Sequence, residues 1–223
     1  MTKELKYTLT EETKEWYGHT LHRIEALKDF GDVKAGDKGG WIEKETNLGH
    51  AGDAWVCGEA RVYGDAKVYD NAKVYDNAEV CDNAEVCDNA RVSGDACVSG
   101  KAWVYDNAWV YGEAWVYGDA KVYDNAEVCD NAEVSGDAEV SGDAKVYDNA
   151  DYIVFKNWWS SGRFFTWTRS NNMWRVERFY GTGEELTKKA YADSEKSGRE
   201  YERVVKYVES ILAEENNKSK TKK

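Results

Sequence analysis

The chain has 223 residues, contains no proline and carries a formal net charge of −12. Residues 1–150 hold 15 Lys and Arg against 31 Asp and Glu, whereas residues 151–223 hold 15 against 11, so an acidic segment precedes a basic one. General binding of duplex DNA is excluded, because phosphate would be repelled along most of such a surface. No apolar run reaches the roughly 18 residues of a membrane span and the N-terminus is unlike a signal peptide, so we expect a cytoplasmic protein.

Residues 1–51 are expected to form a small N-terminal β cap. The segment 21–27 reads as a strand, and the segment 29–42 reads as a turn followed by a second strand. All three histidines, His19, His22 and His50, lie in this region. We interpret them as surface or cap residues.

Residues 52–150 repeat one six-residue unit, Ala-x-Val-x-turn-turn, without interruption. Alanines recur from Ala54 to Ala150 and valines from Val56 to Val146. Side chains alternate along a strand, so Ala and Val face one way and the x positions face the other. The turn pairs are Asp-Asn, Gly-Asp, Gly-Glu and one Gly-Lys, which tolerate the left-handed backbone of a sharp corner. A period of six does not fit an α-helix, and repeated β-hairpins are the remaining rival.

This pattern resembles the hexapeptide-repeat superfamily, whose members form a left-handed parallel β-helix with eighteen residues per triangular coil. The resemblance implies about 5.5 coils over residues 52–150. The cap segment 29–41, DFGDVKAGDKGGW, resembles the opening of hexapeptide proteins from bacteria and their phages, some of them named acyltransferases. It implies a capping element with Trp41 as a lid over the first coil.

Enzymes of this superfamily use histidines that the repeat here lacks. Its acyltransferases typically use a histidine base, and its carbonic anhydrases need three histidines from the coils, but no histidine lies in a coil of this chain. We therefore expect no catalytic residue and no cofactor. Acyl transfer involving His50 is the third-ranked alternative.

Two outward-facing sets on the coils could suggest metal sites. Coil stacking places four carboxylates along one corner, either as a cation-binding edge or as a ladder that satisfies backbone groups: Asp70, Asp88, Asp106 and Asp124. Four of the five cysteines take the outward position that Tyr or Ser fills in other units, and none lies directly above another: Cys57, Cys81, Cys87 and Cys129. We expect a structural ladder, free thiols and no metal.

An aromatic belt surrounds one level of the coils. Its members are Trp103, Tyr105, Trp109, Tyr111, Trp115 and Tyr117. A belt of this size is expected to be covered, either by another subunit or by the terminal segments. The superfamily resemblance favours a trimer, although a dimer would use the same belt, and simple tolerance of bulky outward residues is the alternative.

Residues 151–215 are expected to form a C-terminal α+β module, followed by a disordered basic tail at 216–223. Three antiparallel strands are predicted at 151–156, 163–169 and 174–180. Thr182 is the predicted N-cap of a helix, with Glu185 completing a capping box. A second helix is predicted from about Ser197, with an apolar face.

The predicted sheet of this module interleaves aromatic and basic side chains. The candidate ligand-binding residues are Trp158, Trp159, Arg163, Phe165, Trp167, Arg169, Trp174, Arg175, Arg178 and Tyr180. Rings can stack on a base while guanidinium groups hold phosphate. The alternative is that the aromatics form the module's own core, with the arginines at its rim.

The segments FKNWWSSGR at 155–163 and YGTGEEL at 180–186 resemble a C-terminal module of phage-type hexapeptide proteins. Together these features lead us to expect a non-enzymatic, oligomeric, phage- or prophage-encoded protein that sequesters a nucleotide-derived defence signal in the host cytoplasm. The second hypothesis is a protein-binding inhibitor of a host protein or a structural phage protein.

Overall fold

A computed structural model describes residues 5–220 of the chain. The described residues divide into two compact units. The first runs to Ile153 and includes Thr168–Asn171, and the second comprises Val154–Trp167 and the chain from Asn172 onward. Across the described residues, no helix is both long enough and apolar enough to cross a membrane.

The first unit is a β-solenoid of about six turns, as the repeat predicted. Each two-residue strand covers one outward residue and the valine that follows it. The strands are Trp55–Val56 (β4), Arg61–Val62 (β5), Lys67–Val68 (β6), Lys73–Val74 (β7), Glu79–Val80 (β8), Glu85–Val86 (β9), Arg91–Val92 (β10), Cys97–Val98 (β11), Trp103–Val104 (β12), Trp109–Val110 (β13), Trp115–Val116 (β14), Lys121–Val122 (β15), Glu127–Val128 (β16), Glu133–Val134 (β17), Glu139–Val140 (β18) and Lys145–Val146 (β19).

Strands eighteen residues apart stack in parallel and in register. Val92 pairs with Val110, for example, and Val110 with Val128. The stacks form three sheets, β4-β7-β10-β13-β16-β19, β5-β8-β11-β14-β17 and β6-β9-β12-β15-β18. The repeat valines and the alanines from Ala54 to Ala144 are fully buried, so the interior of the solenoid is a column of these two side chains.

The corners adopt the left-handed backbone that the turn residues predicted. Aspartates of the Asp-Asn pairs before Asp148 have positive φ, as at Asp70 (57°) and Asp124 (59°), and glycines take the same place in the other pairs. At Gly52 glycine is also required for steric reasons, because a Cβ there would lie 2.1 Å from the Asp70 carbonyl oxygen. These residues turn the chain without interrupting the stacking of the coils.

The N-terminal cap extends one of the three sheets. Its strands are Tyr7–Trp16 (β1), His19–Ala26 (β2) and Lys38–Ile42 (β3). β1 pairs with β2 and β2 with β3 in antiparallel fashion, whereas β3 runs parallel to β5. The strand β1 was not predicted, and parallel stacking begins at β3, before the expected boundary at residue 52.

The prediction of Trp41 as a lid over the first coil is wrong. Trp41 pairs with the outward residue Arg61, while its neighbour Ile42 pairs with the inward residue Val62 and is fully buried. Side-chain alternation therefore sends the indole outward. Its Nε1 donates a hydrogen bond of 3.1 Å to Glu59.

The end of the solenoid interior is closed by tight packing and by hydrogen bonds. A Cβ on Gly39 would lie 2.5 Å from the Ile24 side chain, so only glycine allows this approach. The buried Lys6 donates from Nζ to the carbonyl oxygens of Ala54 at 2.7 Å and Gly52 at 3.3 Å. These contacts satisfy backbone oxygens of the first coil, and a short 3₁₀ helix, Glu45–Asn47, follows β3.

The C-terminal segment has one more strand than predicted. After the 3₁₀ helix Asn149–Asp151, the strands Tyr152–Lys156 (β20), Phe164–Thr168 (β21), Met173–Val176 (β22) and Phe179–Gly181 (β23) follow one another in a sheet in that order. The single strand expected at 174–180 is wrong because Glu177 has a φ of 53° and turns the chain, so that Val176 pairs with Phe179.

Two helices complete the second unit. Gly183–Asp193 (α1) begins after the N-cap Thr182, whose capping box with Glu185 is formed as predicted. Glu195–Lys220 (α2) starts two residues earlier than expected and buries Tyr201, Val205 and Val208. α2 continues through residues 216–220, where a disordered tail was expected. No proline or glycine interrupts that stretch, and residues 221–223 lie outside the described part of the chain.

Candidate functional site

The ten residues predicted to bind a ligand divide into a buried group and an exposed group. The buried group comprises Trp159, Phe165, Trp167 and Trp174. Phe165 packs against Trp159, Trp174 and Tyr201, with ring centroids 5.1 to 6.1 Å apart. These rings therefore form the core of the second unit, which was the alternative interpretation of the sequence.

The remaining predicted ligand residues are not gathered on one face. Arg169 lies in the first unit, where its Nε is 3.1 Å from the Ala150 carbonyl oxygen and 3.5 Å from the Asp151 carboxylate. Trp158 is 73% exposed. Arg175 is half-buried, and Tyr180 is exposed at the edge strand β23. Arg163 and Arg178 line a cavity.

That cavity is a cleft of about 410 Å³ within the second unit. Arg163 and Arg178 come from the sheet segment, and Lys189 comes from α1. The Lys189 ammonium also lies 5.7 Å from the centre of the Phe179 ring, which lines the same cleft. The size falls within the range of small-molecule sites, about 300–1,000 Å³.

The cleft also contains two carboxylates, which moderate its positive charge. Arg163 forms an ion pair with Glu177, and Asp193 lies on α1. Burial raises the pKa of Tyr201, and the nearby Glu177 and Asp193 add to the rise while Arg163 opposes it. Tyr201 therefore stays a neutral hydroxyl at physiological pH.

Asn157 provides a buried polar group that lacks a complete set of partners. Its side chain is 6% exposed and lines the cleft, and its Nδ2 donates to the Tyr201 hydroxyl at 3.0 Å. Its Oδ1 has no hydrogen-bond partner among the described residues. Buried acceptors without a donor are rare, so a bound donor is the natural complement of this atom.

Sequence reasoning missed Asn157, Lys189 and Tyr201 as members of one site. Leu186 and Ala190 are buried at i and i+4 of α1, and the exposed Lys189 lies beside this packed face. The approach of both helices to the sheet was needed to bring the three side chains together.

The aromatic belt occupies the three sheets of the solenoid through β12, β13 and β14, as predicted. Trp115 is 53% exposed, and Trp103 and Tyr117 are also exposed. The other belt rings are half-buried, and the Trp109 and Tyr111 rings contact each other in a tilted arrangement with 4.4 Å between ring centroids. The belt thus presents its largest free apolar area at Trp115.

The acidic corner is a hydrogen-bonded ladder, which agrees with the structural interpretation. Carboxylates of one coil accept backbone N–H groups of the next, as Asp88 does from Asp106 at 3.4 Å. The neighbouring amides continue along the corner, with Asn71 donating to Asn89 and Asn89 to Asn107 at 3.3 Å.

One cluster in this corner brings potential metal ligands together. Asp70, Cys87 and Asp88 each place a ligand atom within 4.8 Å of the others. Burial raises the pKa of Cys87 to about 11, so its thiol is protonated, and it donates to Asp88 at 3.4 Å. The Cys87 thiol and the Asp88 carboxylate are therefore satisfied by hydrogen bonding.

Each histidine has local partners in the cap. His19 Nδ1 lies 2.9 Å from Glu43, and His22 Nδ1 lies 3.2 Å from the Thr10 carbonyl oxygen. His50 Nδ1 accepts the Lys6 backbone N–H at 3.2 Å while its Nε2 lies 2.7 Å from Glu45. His50 is therefore held at both ring nitrogens, which suits a structural role.

Comparisons with known proteins concern the repeat. Residues 84–100 match the family model of the YdcK β-solenoid repeat. A stretch of 36 residues, 16% of this chain, is 50% identical to the "Uncharacterized acetyltransferase YdcK" of Escherichia coli strain K12. The match spans only 11% of that protein's length. Both similarities support the hexapeptide-repeat β-helix superfamily that the sequence indicated.

Proposed function

We propose that this chain is a non-enzymatic, oligomeric binding protein whose C-terminal cleft holds a small anionic, nucleotide-like molecule. The observation that carries the proposal is the buried Oδ1 of Asn157, an acceptor without a partner among the described residues, in a cleft lined by three cationic side chains. A nucleobase amino group is a donor of the kind this oxygen requires.

The charged groups of the cleft suit a phosphate-bearing ligand. Arg178 and Lys189 lie on different elements, so they can approach one anionic group from two sides. Arg163 already pairs with Glu177, and a ligand phosphate would compete with that carboxylate for the guanidinium. The half-buried Phe179 ring offers a surface on which a base can stack.

More specifically, we propose that a phage or prophage encodes the protein and that the protein removes a nucleotide-derived defence signal from the host cytoplasm. The uninterrupted repeat supports a binding role, because no loop leaves the coils to build a catalytic site between residues 54 and 146. The resemblance of the C-terminal segments to phage-type proteins supports the source.

Calorimetry against cyclic nucleotides and ADP-ribose tests the proposal. Arg178→Gln should weaken binding by roughly 10- to 100-fold, because a hydrogen bond to a charged group contributes about 1.5–3 kcal/mol. Lys188→Gln, which removes an exposed charge next to Lys189 but outside the cleft, is the matched control. If no member of the panel binds more tightly than about 1 mM, the nucleotide proposal fails.

A second candidate function, protein binding, rests on the exposed Trp115 of the aromatic belt. Monomers rarely expose large apolar patches, so the belt suits a second subunit or a host protein. Light scattering of the purified protein should give a trimer, with a dimer as the alternative, and Trp115→Glu should shift it toward monomer. A monomer in the unmodified protein at micromolar concentration would contradict self-association through the belt.

Acyl transfer is the third candidate, and the name of the matched Escherichia coli protein is the observation in its favour. It predicts acetyl-CoA turnover that disappears in His50→Ala. The hydrogen bonds at both nitrogens of His50 argue against a free base at this position. Absence of turnover in the intact protein would remove this candidate.

A further inference from the structure

The outward side chains of the solenoid meet in diagonal pairs sixteen residues apart. In these pairs the residue after one valine contacts the residue before the valine of the next coil. The Tyr69 hydroxyl is 3.0 Å from Glu85, the Trp103 Nε1 is 3.3 Å from the Cys87 sulfur, and the Trp109 Nε1 is 3.1 Å from Ser93. The same rule holds on the third sheet, where the Tyr117 hydroxyl is 3.4 Å from Glu133, because every coil has the same register.

Cys81 and Cys97 occupy one such diagonal. Cys97 pairs in register with Glu79, which places Cys81 two residues farther along on the same outward face. Applied to residues 57–149 of the sequence, the diagonal rule joins two cysteines only here. The pair is not among the residues stacked directly above one another, because those are eighteen residues apart and Cys81 and Cys97 are sixteen apart.

The spacing of this pair disfavours a disulfide. Neighbouring strands lie about 4.8 Å apart and two residues span about 6.6 Å along a strand, so the two Cα atoms are about 8 Å apart. Disulfides usually require about 4.4–6.8 Å between Cα atoms. Both cysteines are free thiols.

The sulfur atoms nevertheless approach one another. Each side chain is close enough to affect the other, because the neighbouring Cys97 raises the pKa of the Cys81 thiol and Cys81 lowers that of the Cys97 thiol.

One side of the cysteine pair is shielded from water, and the other side is open to solvent. Cys81 is buried against Leu21, Trp41 and Tyr63, whereas Cys97 is only half-buried. An apolar wall on one side limits water at the sulfur atoms, and the exposed side leaves an entry path.

We propose that Cys81 and Cys97 form a two-thiolate site for a soft monovalent metal cation of the Cu(I) type. Thiolates select such cations over hard ones. On binding, the cation forms one bond to each sulfur and the two thiols release two protons to solvent, with no change of oxidation state. The site lies on the solenoid and is independent of the C-terminal cleft.

Anaerobic competition for Cu(I) with the chelator bicinchoninate tests the proposal on the reduced full-length protein. One ion should bind per chain, and Cys81→Ser and Cys97→Ser should each weaken binding by more than about 100-fold. Loss of an outer partner of a metal ligand already costs about 10- to 100-fold, and loss of a ligand should cost more. Cys87→Ser, at the same outward position as Cys81 on another sheet, should bind Cu(I) as the unmodified protein does.

Two results would overturn the proposal. One is unchanged Cu(I) affinity in Cys97→Ser, whose half-buried position makes it the substitution least disturbing to the fold, checked by circular dichroism. The other is a Cys81–Cys97 disulfide found by peptide mapping after incubation with glutathione disulfide, because it would place the backbones closer than the register implies. Neither result bears on nucleotide binding by the second unit.

Discussion

Shortening a single valine tests whether the solenoid interior is a tightly packed column. Val110 is fully buried and stacks between Val92 and Val128. Val110→Ala removes two methyl groups, which costs about 1.6 kcal/mol at about 0.8 kcal/mol for each buried group. A void of roughly 45 Å³ adds about 1 kcal/mol at about 24 cal/mol per Å³. We expect the free energy of unfolding to fall by about 2.5 kcal/mol.

Urea denaturation followed by far-ultraviolet circular dichroism measures this loss. Ser135→Ala, at an outward position of the same repeat, is the matched control and should change the unfolding free energy by less than about 0.5 kcal/mol. An unchanged m value, the slope of the unfolding free energy against urea concentration, would show that both proteins expose the same surface area on unfolding. A loss below about 1 kcal/mol for Val110→Ala would refute the reasoning, because it would mean that neighbouring coils close the void.

Three further predictions concern the cap, the corner and the second unit. Burial lowers the pKa of Lys6 to about 8, so the unfolded chain binds more protons than the folded one between about pH 8 and pH 10.5. The free energy of unfolding should therefore rise with pH across this window. Denaturation curves at pH 7.5 and 9.5 measure the rise, and Lys6→Met should remove the part of it that comes from Lys6. Asn107→Ala removes its hydrogen bonds to the amides of Asn89 and Asn125 and should cost about 1 kcal/mol in the same assay, whereas no loss would show that the exposed ladder adds nothing to stability. Thr182→Ala removes the α1 cap and should cost about 1 kcal/mol, with faster hydrogen exchange in 183–193; unchanged exchange there would contradict a stabilising role for the cap.

The repeat predicted the solenoid because one rule governs every coil. Alternation between an inward valine and outward neighbours leaves a single consistent set of buried residues, and the Asp or Gly corners need a left-handed backbone that these residues adopt readily. Trp41 was predicted wrongly, because its position relative to the first coil depends on the register of β3 with β5, which the repeat pattern does not specify.

The C-terminal unit was harder to predict, since its fold depends on contacts between distant segments. Alternation placed Phe165 and Trp167 on one face but did not reveal that this face is buried. The left-handed backbone at Glu177 carries no signal in residue type, so the break between β22 and β23 was missed. Asn157 gained its significance only when packing left its side-chain oxygen without a donor.

The uniform register of the coils has a consequence for changes in chain length. An insertion or deletion of eighteen residues would leave every outward residue on its own sheet, whereas one of six would move all later residues to the next sheet. The diagonal contact between Cys81 and Cys97 would survive a duplication of a whole coil elsewhere but not the loss of a single unit between them. Natural variants of different length should therefore differ most often by multiples of eighteen residues.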